Sequence, residues 1–142
     1  MEKVKKLLEN TALKATPQRL SILKEIIKSG HIDLDSIYKN LSKSFPSMSL
    51  ATVYKNIHTL KKHHLIKELS IENEKSKYEI AAQKEHSHFV CTQCGSVIDV
   101  EVDKKDLLAQ VENNANNFDV QSCDVYFYGV CEKCKNSAKR SN

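Results

Sequence analysis

Four of the five cysteines stand as two Cys-x-x-Cys pairs, Cys91-Thr-Gln-Cys94 and Cys131-Glu-Lys-Cys134, with 36 residues between them. A two-residue spacer lets both sulfurs of a pair reach one ion, and zinc takes four thiolates in a tetrahedron at about 2.3 Å. Gly95 directly after the first pair relieves the tight turn. Two such pairs in one small module point to a closed structural zinc site with no vacant position for a substrate. Its task is mechanical: it ties the C-terminal segment to the strand that carries the first pair. The competing readings are disulfides, which a reducing compartment disfavours, and a redox-active pair, which needs the strand-to-helix setting of a thioredoxin-like motif. Cys123 falls on an expected strand and reads as a buried thiol rather than a ligand.

Glu85-His86-Ser87-His88 comes just before the first pair. On a strand, residues two apart point to one face, so both imidazoles can address a single cation. Nitrogen ligands joined by carboxylates suit Fe(II), Mn(II), Co(II) or Zn(II), with availability deciding the occupant. Two surface histidines are the plain alternative.

The elements that must position these groups fall into two halves. Val4, Leu7 and Leu8 recur at helical spacing. Thr16 as N-cap with Pro17 at the first helical position opens a second helix, along which Leu20, Leu23, Ile26 and Ile27 form one apolar face up to Gly30. A third helix fits Leu34 to Leu41 with Asp33 as its cap, and Ser44-Phe-Pro-Ser47 ends it. A fourth runs from about Ser49 to His63, with Val53, Ile57 and Leu60 inward and Tyr54, Lys55, Lys61 and Lys62 outward. The period then changes from 3.6 to 2: Leu65 to Ile71 reads as a strand, Glu72 to Lys75 as a turn, and Lys77 to Ile80 as the returning strand. Helices followed by a β-hairpin are the layout of a winged helix-turn-helix, whose last helix enters the major groove.

Residues 81–84 have no strong periodicity and are expected to be a hinge between a domain of residues 1–80 and one of residues 85–142. The second half reads as strand (His88 to Cys91), turn, strand (Val97 to Val102), helix (Asp103 to about Ala115), strand (Val120 to Tyr128) and a cysteine-bearing tail. The whole is an α+β chain: an N-terminal winged helix-turn-helix, then a small α/β domain with the four-cysteine site.

Composition agrees with two small domains in 142 residues, 40% of them hydrophobic. No apolar run approaches the roughly 20 residues of a spanning helix, so no membrane partner is expected. The first residues, Met1-Glu-Lys-Val-Lys-Lys6, lack the apolar stretch of a signal peptide, which makes the cytosol the expected location. Charge is uneven: residues 1–80 hold 15 Lys and Arg against 9 Asp and Glu, the remainder 7 against 9. A cationic half suits a polyanion, because each neutralised phosphate releases condensed counterions, although a solvated lysine-rich face would have the same composition.

Several segments together resemble one family. Lys14-Ala-Thr-Pro-Gln-Arg19, Gly30-His31, Ser49-Leu-Ala-Thr-Val-Tyr-Lys55, His86-Ser-His88 before Cys91-x-x-Cys94-Gly95, and Tyr128-Gly-Val-Cys131-x-x-Cys134 are similar to the ferric uptake regulator (Fur) family, in the same order and over nearly the whole chain. The resemblance implies a homodimeric, metal-dependent transcriptional regulator, not an enzyme, with a C-terminal dimerisation domain. It implies a regulatory Fe(II) or Mn(II) between the domains, held by His31, Glu79, His86, His88 and Asp99, besides the zinc on Cys91, Cys94, Cys131 and Cys134. It implies double-stranded DNA as partner, an A·T-rich inverted-repeat operator. Tyr54 would meet a thymine methyl, Lys55 a phosphate or base edge, Lys14 a narrow minor groove and Arg19 a phosphate. Relatives often hold a further metal at positions that are Glu85, Ser87, Asp106 and Cys123 here. Only Asp106 keeps a carboxylate in kind, in shortened form, so that accessory site is expected to be absent or weakened.

The short N-terminal segment and the missing accessory site are more similar to the peroxide-stress branch, in which oxidation of ligand histidines, here His31 and His86, opens the dimer. Glu79 departs from that branch, which usually carries Asp there, and matches the iron-responsive branch. A zinc-responsive regulator is the third alternative. Outside the family, a zinc hydrolase would need an open coordination position and a cleft, and no HExxH helix or glycine-rich phosphate loop is present. A protein-interaction zinc module is the remaining alternative.

Overall fold

The computed structural model describes residues 2–81, 86–114 and 117–140. The chain divides into two compact units, Met1–Gln83 and Lys84–Asn142. Most of the expected hinge, residues 82–84, lies outside the described residues, as does Ala115 at the end of one expected helix.

In the first unit, α1 (Glu2–Glu9), α2 (Pro17–Ser29), β1 (Ile32–Asp33), α3 (Leu34–Leu41), α4 (Leu50–Lys62), β2 (Ile66–Leu69) and β3 (Lys77–Ile80) follow in order. Each of the last three helices is opened by a side chain taking a backbone N–H that has no partner within the helix. Thr16 accepts from Arg19 N at 3.3 Å, Asp33 from Ser36 N at 3.2 Å and Ser49 from Thr52 N at 3.1 Å. Gly30 ends α2 at φ 79°, a backbone conformation open to glycine, with its N–H on Ile26 O at 2.8 Å.

The helices close over a core of Ile22, Leu23, Ile26, Ile37, Val53, Ile57 and Leu60, and the hairpin adds Leu65, Ile66 and Ile80. The inward face of α2 is displaced from the expected one: Ile22 is fully buried, whereas Leu20 and Ile27 are only partly so. α2 packs against α1, α3, α4 and β3, so burial wraps further round it than a single amphipathic stripe. The sheet has the order β1-β3-β2, antiparallel throughout, with Ile66 opposite Ile80 and Ile32 opposite Tyr78. β1 was not expected. Its two residues lie between the glycine that ends α2 and the cap of α3, too short for any alternation to register.

The second unit holds β4 (Ser87–Cys91), β5 (Val97–Val100), α5 (Lys105–Glu112), β6 (Tyr126–Gly129) and α6 (Glu132–Arg140). The sheet order is β5-β4-β6, with β4 and β5 antiparallel and β4 and β6 parallel. Three expectations are corrected here. The last strand covers residues 126–129 rather than 120–128; upstream of it Cys123 is half-buried in irregular chain, its carbonyl taken by Lys104 Nζ at 2.7 Å instead of a ladder partner. The cysteine-bearing tail is a helix, and the helix expected from Asp103 begins two residues later.

This unit is poor in core. Among the described residues its buried hydrophobic side chains are Val90 and Cys91, while Ile98, Leu107, Val111, Phe118, Phe127 and Tyr128 are exposed. Among the described residues no helix is long and apolar enough to cross a membrane.

Candidate metal centres and nucleic-acid interface

The turn after β4 and the start of α6 bring the two cysteine pairs together. The sulfurs of Cys91, Cys94, Cys131 and Cys134 all lie within 4.8 Å of one another. Thr92 N donates to Gly129 O at 2.7 Å, which holds the chain just before the second pair against the first. The Cys91 sulfur accepts N–H bonds from Cys94 at 3.5 Å and Cys131 at 3.4 Å. These donors, Cys94 first, pull the Cys91 thiol down to about 6. Cys134, beside the Cys131 sulfur, is pushed up to about 12. Four soft sulfurs at this separation, one already favoured as thiolate, form the donor set of a closed tetrahedral zinc site. Cys94 Sγ and Cys131 Sγ stand 3.8 Å apart, well beyond the roughly 2.05 Å of a disulfide bond, and the clustering of all four sulfurs favours a shared ion over two separate pairings.

A second set of donors is distributed over both units. In the first unit, His31 follows Gly30 and leads into β1, and continuing the antiparallel register of Ile32 with Tyr78 by one residue sets it opposite Glu79 on β3. His31 Nε2 is 3.3 Å from Glu79 Oε2, and the glutamate is 3% exposed. The strand that sequence reasoning missed is therefore the one that joins these two residues.

In the second unit, His88 on β4 is the register partner of Asp99 on β5, and His86 lies two residues earlier. Asp99 Oδ1 is 3.3 Å from His86 Nε2 and 3.7 Å from His88 Nε2. The two imidazoles meet edge to face with centroids 4.6 Å apart, and His88 stacks on Tyr126 at 5.6 Å. Stacking and burial fix the His88 ring, while Asp99 remains about half exposed. In each unit imidazole nitrogens meet a carboxylate, the donor types that suit a divalent transition-metal ion of intermediate hardness. Of the four positions considered for an accessory metal, Ser87 is fully buried, Asp106 exposed and Cys123 half-buried, and Glu85 lies outside the described residues.

On α4, Tyr54 is 62% exposed and Lys55 is exposed beside it, both on the face opposite Val53 and Ile57. Lys14 is exposed in the link before α2. Arg19 is half-buried: its Nε donates to Asn56 Oδ1 at 3.2 Å and its Nη1 to the Lys14 carbonyl at 3.0 Å. Sequence reasoning missed this engagement, since nothing in a lone arginine near a helix start signals a partner 37 residues away. Beneath Tyr54, Tyr78 OH donates to Glu68 at 3.0 Å, and Lys61 pairs with the same carboxylate at 3.4 Å.

The sequence matches the model of the Ferric uptake regulator family over residues 10–128. It is 33% identical over 129 residues to the peroxide-responsive repressor PerR of Staphylococcus epidermidis, spanning 90% of this chain and 85% of that one. It is also similar to the solved Campylobacter jejuni peroxide stress regulator, with 38% identity and a TM-score of 0.69 over 91% of this chain and 97% of that one. It shares its fold with a zinc uptake regulator complexed with zinc and DNA, at a TM-score of 0.74 and 21% identity, covering 97% and 94% of the two chains. With a family match across most of its length and four cysteine sulfurs brought together, the chain belongs to the ferric uptake regulator family of transcription regulators, with a four-cysteine zinc site and, in each unit, imidazole and carboxylate donors suited to a regulatory metal.

Proposed function

We propose that the protein is a metal-dependent, homodimeric DNA-binding repressor of the cytosol that senses hydrogen peroxide through oxidation of its own ligand histidines. The division of donors carries this: His31 and Glu79 belong to the helical unit with the exposed α4, and His86, His88 and Asp99 to the unit with the zinc cluster. A cation shared by all five would couple the two units. In a dimer that coupling sets the spacing of two recognition helices, which must lie one helical turn, roughly 34–36 Å, or a multiple of it apart. Exposed Ile98, Leu107, Phe127 and Tyr128 on the thinly cored second unit support association with a second copy.

On the DNA side, Tyr54 and Lys55 on α4 and Lys14 on the link before α2 are exposed, which supports contacts by them to an A·T-rich inverted repeat. Arg19, with two of its five N–H groups spent within the chain, retains others for a phosphate.

His31, Glu79, His86, His88 and Asp99 would hold ferrous iron, which would supply reductive cleavage of hydrogen peroxide beside the ligand imidazoles. His31 and His86 would offer the ring carbons, one peroxide oxygen replacing a ring C–H hydrogen and the other leaving as water; an oxidised ring is a poorer donor, and the grip on the cation would weaken. The relatives named for peroxide support this branch. Anaerobic loading with Fe(II), dilute peroxide and peptide mass analysis test it: one oxygen added at His31 or His86, with loss of DNA binding, is expected. Unmodified histidines with DNA binding retained overturn it.

One observation favours a second reading. Glu79 is the longer carboxylate typical of the iron-responsive branch, and a bidentate grip through it would leave less room for peroxide. In that case Fe(II) alone would control binding and peroxide would leave both histidines intact.

A further inference from the structure

We propose that Arg19 is a positioning residue for DNA recognition, a strut that fixes Lys14 beside the recognition helix, rather than chiefly a phosphate ligand. The inference rests on the DNA-binding reading above. Lys14 lies in the link between α1 and α2, with its side chain exposed, in a segment whose own backbone contributes one internal bond, Thr16 N to Lys14 O at 3.0 Å. Such a link would let the ammonium wander. The same carbonyl is held by Arg19 Nη1 at 3.0 Å. From the other side of the guanidinium, Nε reaches Asn56 Oδ1 at 3.2 Å, and Asn56 in turn donates Nδ2 to Thr52 O on α4 at 3.0 Å.

The chain Lys14–Arg19–Asn56–Thr52 thus runs from the link, through α2, into the body of α4. Asn56 follows Tyr54 and Lys55 directly, half-buried on the α2 flank of the helix while those two are exposed. A minor-groove contact from Lys14 and a major-groove contact from Tyr54 must fall at a fixed separation to read one half-site. The planar fork of arginine, with donors at fixed angles to two acceptors, sets that separation; a lysine, with one ammonium on a flexible stem, cannot span both acceptors. Base preference at the Lys14 end of the half-site therefore depends on a residue that need not touch DNA.

The test starts from a duplex pool randomised over its central positions and enriched on the Mn(II)-loaded wild-type protein. Affinity is then measured on the enriched duplex and on a scrambled one across a series of salt concentrations. Arg19→Lys keeps the charge and loses the fork. It is expected to weaken binding to the enriched duplex about tenfold, the worth of one to two hydrogen bonds, while the scrambled duplex and the salt slope change little. Asn56→Leu should do the same, and the double variant should be no weaker than either single one. Thermal melting midpoints close to that of the wild type in all three variants guard against a loss caused by misfolding.

Three results overturn the strut: wild-type binding by Arg19→Lys with a salt slope reduced by about one in Arg19→Gln, the signature of a phosphate contact; additive losses in the double variant; or equal losses on the enriched and scrambled duplexes in Arg19→Lys. A wild-type protein that enriches no sequence instead overturns the DNA-binding reading itself, and is told apart by failing before any variant is compared.

Discussion

Tyr54 and Tyr78 show how one side-chain type serves two ends. Tyr54 projects from α4 with most of its surface in solvent, so little of the fold depends on it. Tyr54→Ala is expected to leave thermal stability within about 0.5 kcal/mol of wild type. It should lower the ratio of specific to nonspecific DNA affinity by about tenfold, as loss of a base-edge contact does. Equal losses on enriched and scrambled duplexes would contradict a base contact. Tyr78 is 7% exposed, and burial together with the Glu68 carboxylate pushes its phenol up to about 12. The fold thus favours the neutral phenol, and an unfolded tyrosine ionises near 10. Tyr78 should contribute its full stabilisation below about pH 10 and lose it as pH climbs toward 12. Tyr78→Phe should flatten that part of the stability profile in denaturant titrations; an unchanged slope would contradict the Glu68 contact.

At the scale of elements, local chemistry was legible wherever the chain announces its own ends. Thr16-Pro17, Asp33 and Ser49 marked three helix starts, and the change from period 3.6 to 2 marked the hairpin. The His-x-His pair was legible as one cluster: His88 lies on β4 opposite Asp99, and His86, just before the strand, reaches the same carboxylate. What stayed hidden depends on distant partners. β1 is two residues long and exists because β3 offers it an edge, yet it sets His31 against Glu79. Ile22 is buried because α2 is covered on several sides. α6 has a polar sequence with no apolar stripe to read and is anchored through Cys131 and Cys134.

That anchorage makes α6 and β6 dependent on the sulfurs. With Val90 and Cys91 as its buried hydrophobic residues among those described, the second unit has little else to hold it. Cys131→Ser should lose the bound zinc and with it the circular-dichroism signal of α6. The first unit, with its own core, should keep its helices. A variant that remains fully folded without zinc would contradict the structural role.

For the molecule as a whole, the two units differ in what they lack. The first is well cored and has an open cationic helix face; the second is thinly cored, with exposed apolar side chains and a four-cysteine cluster. Each also carries donors that the other does not: His31 and Glu79 in one, His86, His88 and Asp99 in the other. Metal control of DNA binding requires that these donors act on one cation, so that occupancy and DNA affinity are linked by a coupling free energy.

The most direct measurement compares DNA affinity of the protein stripped of its regulatory cation, but retaining thiolate-bound zinc, with that of the same sample replenished with Mn(II), on a duplex enriched by the latter. A gain of about tenfold or more on replenishment is predicted, abolished in His86→Ala with zinc still bound. Equal affinity of the two samples would contradict it.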